Sequence, residues 1–117
     1  IEDHSDVRTS FADLLELEGW HVVQAANGIQ ALRALEEGLE PSVILLDLEL
    51  PFMSGWHLHR HLRRDAAFSR IPVVIVTAHD VAAAGIAGAF AVLQKPMDAR
   101  QLLDTMRACI EGVQPCR

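Results

Sequence analysis

Two short apolar runs that each end in a polar residue are the clearest feature of the chain. Residues 43–46 read Val-Ile-Leu-Leu and lead into Asp47, and residues 73–76 read Val-Val-Ile-Val and lead into Thr77. Apolar runs without polar alternation are typical of parallel strands that are covered on both faces. The runs therefore predict two buried parallel strands. Two shorter apolar stretches, residues 20–25 and 90–93, are further strand candidates.

Segments with apolar residues at helical spacing lie between these runs. The first segment begins at Ser5 or Asp6 and ends before Gly19, and the second begins after Asn27 and ends before Gly38. The third runs from about Gly55 to Arg64, and the last from Asp98 to Glu111. Small polar residues at the starts and glycines after the ends are the usual helix caps and stops. Strand and helix thus alternate, which predicts an α/β domain with a parallel sheet.

The first strand of this sheet is expected to lie largely outside the sequence. Ile1 directly precedes the acidic pair Glu2-Asp3, where a strand should lead into the pair. We therefore expect several apolar residues upstream of Ile1, which would complete a sheet of five strands.

Composition narrows the classes of function. The 117 residues fit one domain, and 10 Lys+Arg against 16 Asp+Glu give a net charge of −6. An acidic domain lacks the positive surface that nucleic acids and anionic membranes attract, so we expect no direct nucleic acid or membrane partner. The two cysteines are too few for a disulfide scaffold and favour a reducing, cytoplasmic location.

Polar residues at the ends of the predicted strands carry the candidate chemistry. Glu2-Asp3, Asp47 and Thr77 each follow a strand, and Lys95, the only lysine, follows the last one. Open α/β sheets bind ligands at these carboxyl ends. Several carboxylates in one crevice need a cation, and an all-oxygen donor set suits Mg²⁺. One carboxylate is then able to act as a nucleophile toward a phosphoryl group.

These residues resemble the receiver domain of bacterial two-component response regulators. The resemblance covers the chain from Ile1 to about Glu111 and depends on five motifs in order. They are Glu2-Asp3, Asp47-Leu48-Glu49-Leu50-Pro51, Ser54-Gly55, Thr77-Ala78 and Lys95-Pro96. It implies a flavodoxin-like, doubly wound five-stranded parallel sheet of order 2-1-3-4-5. It also implies a receiver domain over residues 1–112 and a C-terminal tail over 113–117.

The resemblance implies a role for each phosphoryl-binding residue. Asp47 corresponds to the phosphoacceptor, which takes a phosphoryl group from a phosphohistidine of a histidine kinase or histidine phosphotransfer protein. Thr77 corresponds to the hydroxyl that moves to bind this group, and Lys95 to the lysine that pairs with its oxygen. The Lys95-Pro96 peptide bond would be cis. Such a domain is not an enzyme beyond its own phosphoryl transfer and dephosphorylation.

The resemblance also implies the metal ligands and a binding face. Asp3 and Asp47 correspond to the carboxylate ligands of Mg²⁺, the backbone carbonyl of Glu49 to a third ligand, and Glu2 to a ligand that acts through water. A homodimer would form through the fourth helix, the fifth strand and the fifth helix. The chain between Thr77 and Lys95 is about one helical turn shorter than is usual in the family. It is rich in alanine and glycine, so we expect a short or irregular fourth helix.

Alternatives from other classes remain open at this point. A phosphatase of the haloacid dehalogenase type also uses an Asp-x-acid motif, which Asp47-Leu48-Glu49 matches, together with Mg²⁺. A flavin-binding flavodoxin-like protein has the same fold and binds the flavin phosphate in the loop after its first strand. In this chain that loop begins with Glu2-Asp3 and would repel a phosphate. His57 and His61 share one face of a predicted helix, but a solvated face is favoured over a metal site because no third ligand is evident.

Overall fold

The computed structural model describes residues 1–78 and 88–111. Strands and helices alternate along most of this part of the chain. The elements are α1 (Ser5–Leu17), α2 (Gly28–Glu36), β1 (Ile44–Asp47), α3 (Gly55–Arg64), β2 (Val73–Thr77), β3 (Ala91–Gln94) and α4 (Ala99–Glu111). α4 is thus the helix that the sequence placed fifth. None of the described helices is long and apolar enough to cross a membrane.

The strands form a parallel sheet of order β1-β2-β3. The register pairs Asp47 with Val76 and Thr77 with Gln94, so the carboxyl ends of all three strands lie at one edge. Every residue of β2, the middle strand, is buried. The two uninterrupted apolar runs are therefore confirmed as parallel strands covered on both faces.

Helices cover both faces of the sheet, and each face has its own apolar core. Side chains of α2 and α3 pack on one face, together with Leu46 of β1 and Ile75 of β2. Side chains of α1 and α4 pack on the other face against Val74 of β2 and Leu93 of β3. Successive residues of β2 point to opposite faces, so β2 contributes to both cores. This is why its sequence is apolar at every position before Thr77.

The predicted strand over residues 20–25 is absent, although all of these residues are described. The N–H of Glu2 donates to the carbonyl of Ala25 at 3.1 Å, and the N–H of Asp47 donates to the carbonyl of Ile1 at 3.0 Å. Ile1 and Glu2 thus lie between β1 and residue 25, but these few bonds form no regular ladder. An apolar cleft of about 570 Å³ lies beside them. The five-strand order and the strand upstream of Ile1 stay predictions.

A side-chain cap is present at the start of three of the four described helices. The side chains of Asn27, Ser54 and Asp98 each accept a hydrogen bond from a backbone N–H in the first turn of α2, α3 and α4. The prediction that Ser5 or Asp6 caps α1 is wrong, because α1 begins at Ser5 and His4 precedes it without a side-chain cap. The short or irregular fourth helix and the tail over 113–117 fall on residues 79–87 and 112–117, outside the described part.

Candidate functional site

The candidate residues meet at the carboxyl edge of the sheet. Asp47 is the last residue of β1, Thr77 is the last residue of β2, and Lys95 directly follows β3. Glu2 and Asp3 lie beside Asp47 because the backbone of Ile1 is hydrogen-bonded to that of Asp47. The parallel sheet thus brings together residues that are up to 93 positions apart in sequence.

Lys95 joins two of the carboxylates. Its Nζ lies 2.7 Å from Oε1 of Glu2 and 3.0 Å from Oδ2 of Asp47. The side chains of Glu2 and Asp47 are only 5% and 7% exposed, whereas that of Lys95 is 25% exposed. The ammonium group therefore bridges two buried carboxylates and is the part of this triad that water reaches most easily. The sequence predicted the presence of Lys95 here, but not its direct pairing with Glu2.

These ion pairs shift the ionisation of their members. Burial raises the pKa of the Glu2 carboxyl above its ordinary value and Asp47 adds to this rise, while the hydrogen bond from Lys95 opposes it. Burial acts to lower the pKa of Lys95, but the hydrogen bonds to the two carboxylates outweigh it and raise the pKa above its ordinary value. Lys95 is therefore positively charged at neutral pH.

The two oxygens of Asp47 have different partners. Oδ2 accepts from Lys95, and Oδ1 accepts from the backbone N–H of Glu49 at 3.0 Å. The start of α3 lies close behind, because the N–H of Gly55 donates to the carbonyl of Leu48 at 2.9 Å. A Cβ at position 55 would lie 2.5 Å from the Asp47 carbonyl oxygen, so only glycine fits without a backbone shift.

The acidic loop before α1 is held by Arg8. Its guanidinium donates to the backbone carbonyl of Glu2 at 2.8 Å and lies 3.5 Å from that of Asp3. The backbone N–H of His4 donates to Oε2 of Glu2 at 3.3 Å. Arg8 therefore positions the loop through its main chain and leaves the side-chain oxygens facing the pocket. No sequence pattern marks this role, because an arginine in the first turn of a helix is common.

Three carboxylates converge in this pocket. Glu2, Asp3 and Asp47 each offer an oxygen, and these oxygens lie within 4.8 Å of one another. It is the only group of potential metal ligands among the described residues. The donor set is entirely oxygen, which is the chemistry that Mg²⁺ prefers. No such group includes His57, whose Nδ1 instead lies 3.1 Å from Oγ of Ser54.

Thr77 lies deep in the same edge. Its side chain is completely buried, and its carbonyl accepts from the N–H of Lys95 at 2.7 Å. This backbone bond ties the end of β2 to the lysine. The following Lys95-Pro96 bond is cis, as predicted.

The comparisons with known proteins identify the family. A family model described as response regulator receiver domain matches residues 1–107. The chain belongs to the response regulator receiver domain family. Protein PilH of Pseudomonas aeruginosa is 34% identical over 116 residues, which are 96% of this chain and 95% of PilH. The chain is therefore a receiver domain of two-component signalling.

Solved structures agree with this assignment. The signal receiver domain of a histidine kinase from Syntrophus aciditrophicus superposes with a TM-score of 0.89 at 26% identity, over 100% of this chain and 91% of that one. The response regulator TrrA from Thermotoga maritima, solved with Mg²⁺ and a beryllium fluoride, has a TM-score of 0.82 at 21% identity, over 92% of this chain and 93% of that one. The parallel sheet with helices on both faces is accordingly of the flavodoxin-like type.

Proposed function

We propose that Asp47 accepts a phosphoryl group from a phosphohistidine of a histidine kinase or a histidine phosphotransfer protein. The observation that carries this proposal is the placement of a buried aspartate beside a charged lysine and two further carboxylates, in a chain of the receiver family. The same membership favours a receiver over the phosphatase of the haloacid dehalogenase type. The domain then catalyses only its own phosphorylation and dephosphorylation.

Asp47 is the nucleophile of the proposed reaction. One of its carboxylate oxygens attacks phosphorus, the P–N bond to the donor imidazole breaks, and an acyl phosphate forms on Asp47. The imidazole nitrogen keeps the electron pair of the broken bond and takes up a proton. The N–H of Glu49 keeps the carboxylate in a fixed orientation during the attack.

Lys95 and Thr77 act on the incoming group. The ammonium of Lys95 lies 3.0 Å from Oδ2 of Asp47, close enough for it to transfer its hydrogen bond to a phosphoryl oxygen. The Thr77 hydroxyl sits at the end of the neighbouring strand and is proposed to donate to another phosphoryl oxygen. Both contacts stabilise negative charge on the transferred group.

Mg²⁺ fits the acidic pocket. Asp3 and Asp47 are the proposed direct ligands, the carbonyl of Glu49 a third one, and Glu2 is proposed to act through water. Both oxygens of Glu2 accept hydrogen bonds, Oε1 from Lys95 and Oε2 from the N–H of His4. When bound, the ion offsets the charges of the carboxylates and of the phosphoryl oxygens.

The acceptor assignment is tested with a small-molecule donor. Acetyl phosphate and Mg²⁺ should add one phosphoryl group to the wild-type chain, measured as intact mass, and Asp47→Asn should abolish the gain. Asp104→Asn, which removes an exposed aspartate on α4, is the matched control and should behave as wild type. A phosphoryl group retained by Asp47→Asn would contradict the assignment. The homodimer and the cytoplasmic location are further proposals for which other measurements are needed.

A further inference from the structure

Phe52 has an unusual backbone conformation in the loop between Asp47 and α3. Its φ is +69°, and it is the only non-glycine residue with positive φ in the described part of the chain. The N–H of Met53 donates to the carbonyl of Pro51 at 2.7 Å across it. Together these are features of the γ-turn with positive φ, which is rare and strained. A bulky aromatic residue is disfavoured in this region, which glycine and asparagine tolerate.

The neighbouring residues hold this turn in place. Leu50 and Met53, on either side, pack against the apolar core between α2, α3 and the sheet. Met53 also contacts the start of α2, since its Sδ lies 3.2 Å from the position that a Cβ on Gly28 would take. The turn is therefore anchored, and the outward direction of Phe52 is built into the loop.

The ring of Phe52 gains nothing from the fold. It is 86% exposed, so it contributes no burial to offset the strain of its backbone. Strained residues of this kind are concentrated at functional sites, where another requirement keeps them. The functional residue closest to Phe52 in sequence is Asp47, five residues earlier at the base of the same loop.

We propose that Phe52 is an aromatic anchor that the protein phosphoryl donor buries in an apolar recess beside its phosphohistidine. The inference rests on the proposed function. A donor that brings its imidazole to Asp47 has to cover the loop that leaves β1, and the ring stands on that loop. Aromatic side chains, phenylalanine included, are enriched at interfaces, and a few well-packed anchors carry most of the binding energy.

Charge argues against a second copy of the chain, or a membrane surface, as the binding partner of Phe52. A second copy placed symmetrically on this loop would bring its own carboxylates of Glu2, Asp3 and Asp47 toward the same group here, and like charges across an interface repel. An anionic membrane is repelled in the same way. A protein that offers an imidazole and an apolar recess meets no such penalty.

The test compares a protein donor with a small donor. The full chain is mixed with a panel of purified, radiolabelled histidine kinases and histidine phosphotransfer proteins, and the fastest donor for the wild type is kept. Phe52→Asn suits the backbone of the turn and removes the ring. It should lower the rate of transfer from that donor by about tenfold or more and leave the rate with acetyl phosphate within about twofold. Phe52→Tyr, which keeps an aromatic ring, should retain most of the rate.

Leu17→Ala is the matched control, because Leu17 is 85% exposed at the end of α1 away from Asp47. Its rate with both donors should equal that of the wild type. Equal transfer to wild type and Phe52→Asn would overturn the inference, and so would equal losses with both donors, which would place the effect in the pocket. A wild-type chain phosphorylated by acetyl phosphate and by no protein on the panel would overturn the inference but keep Asp47 as acceptor. Failure with every donor would overturn the proposed function itself.

Discussion

The pocket at the carboxyl edge of the sheet and the inner side of α3 both bury polar side chains, with different outcomes. In the pocket, the carboxylates of Glu2 and Asp47 share the ammonium group of Lys95. On α3, His59 is 4% exposed, and its Nε2 is the one buried side-chain nitrogen or oxygen without a hydrogen-bond partner among the described residues. Burial, with a smaller contribution from Arg63, lowers the pKa of His59 below its ordinary value.

The difference separates two consequences of polar burial. A buried polar group with partners is oriented by them, and the pocket uses this to direct the oxygens of Asp47. A buried polar group without a partner loses its hydrogen bonds to water and gains none in return. His59 is therefore expected to lower the stability of the fold. The triad of Glu2, Asp47 and Lys95 is expected to lower it only when one member is removed.

The largest expected effect comes from breaking the triad. Lys95→Met leaves two buried carboxylates side by side without their cation, and we expect the free energy of unfolding to fall by about 2–4 kcal/mol. Because the side chain of Lys95 is 25% exposed, the loss is smaller than for a fully buried ion pair. Urea denaturation measures it, and millimolar Mg²⁺ should restore part of the loss through binding to the folded state. Arg107→Met, on the exposed side of α4, should change little. An unchanged stability in Lys95→Met would show that the triad is not a structural unit.

Packing against Asp47 gives the next effect. Gly55→Ala forces a methyl group against the backbone of Asp47 and Leu48, and we expect a loss of about 2–3 kcal/mol together with slower phosphorylation by acetyl phosphate. Gly28→Ala is the matched control, because its Cβ would meet mainly the flexible side chain of Met53. Thermal denaturation compares the two. Equal losses would mean that the backbone contact at Gly55 is not what positions the acceptor.

The smallest expected effect is an increase in stability. His59→Leu removes the unpartnered nitrogen, and we expect the free energy of unfolding at pH 7.5 to rise by about 1 kcal/mol. Because the folded-state pKa of His59 lies below its ordinary value of 6.5, the unfolded chain binds the proton more readily, and wild-type stability falls as the pH drops through 6.5. The advantage of His59→Leu should therefore grow between pH 7.5 and 5.5. The exposed His57→Leu is the control, and a parallel trend in both variants would contradict the role given to the burial of His59.

Much of the fold and of the site could be predicted from local sequence signals. The uninterrupted runs before Asp47 and Thr77 marked buried parallel strands, and Asn27 and Asp98 marked helix starts. The candidate residues followed from these elements, since parallel strands bring their carboxyl ends to one edge. The roles of Asp47, Thr77 and Lys95 in phosphoryl transfer stay predictions until the acceptor is tested.

Other features depend on tertiary contacts that no local pattern encodes. The burial of His59 follows from how α3 packs, since helical spacing alone indicates only that His59 points away from the face shared by His57 and His61. Residues 20–25 have the composition of a strand but lack the ladder partner that would make them one. The positive φ of Phe52 has no sequence signal either, because the turn is imposed by the packing of Leu50 and Met53 on either side of it.

The bridging position of Lys95 has a consequence for chemical labelling. It is the only lysine of the chain, so an acylating reagent that reacts with side-chain amines has this one target. Acylation needs the neutral amine, and the two carboxylates that hold the ammonium group keep that form scarce. The rate of acylation at Lys95, followed by peptide mass so that the α-amino group is scored apart, therefore reports on the state of this pocket without a fluorophore or an engineered residue.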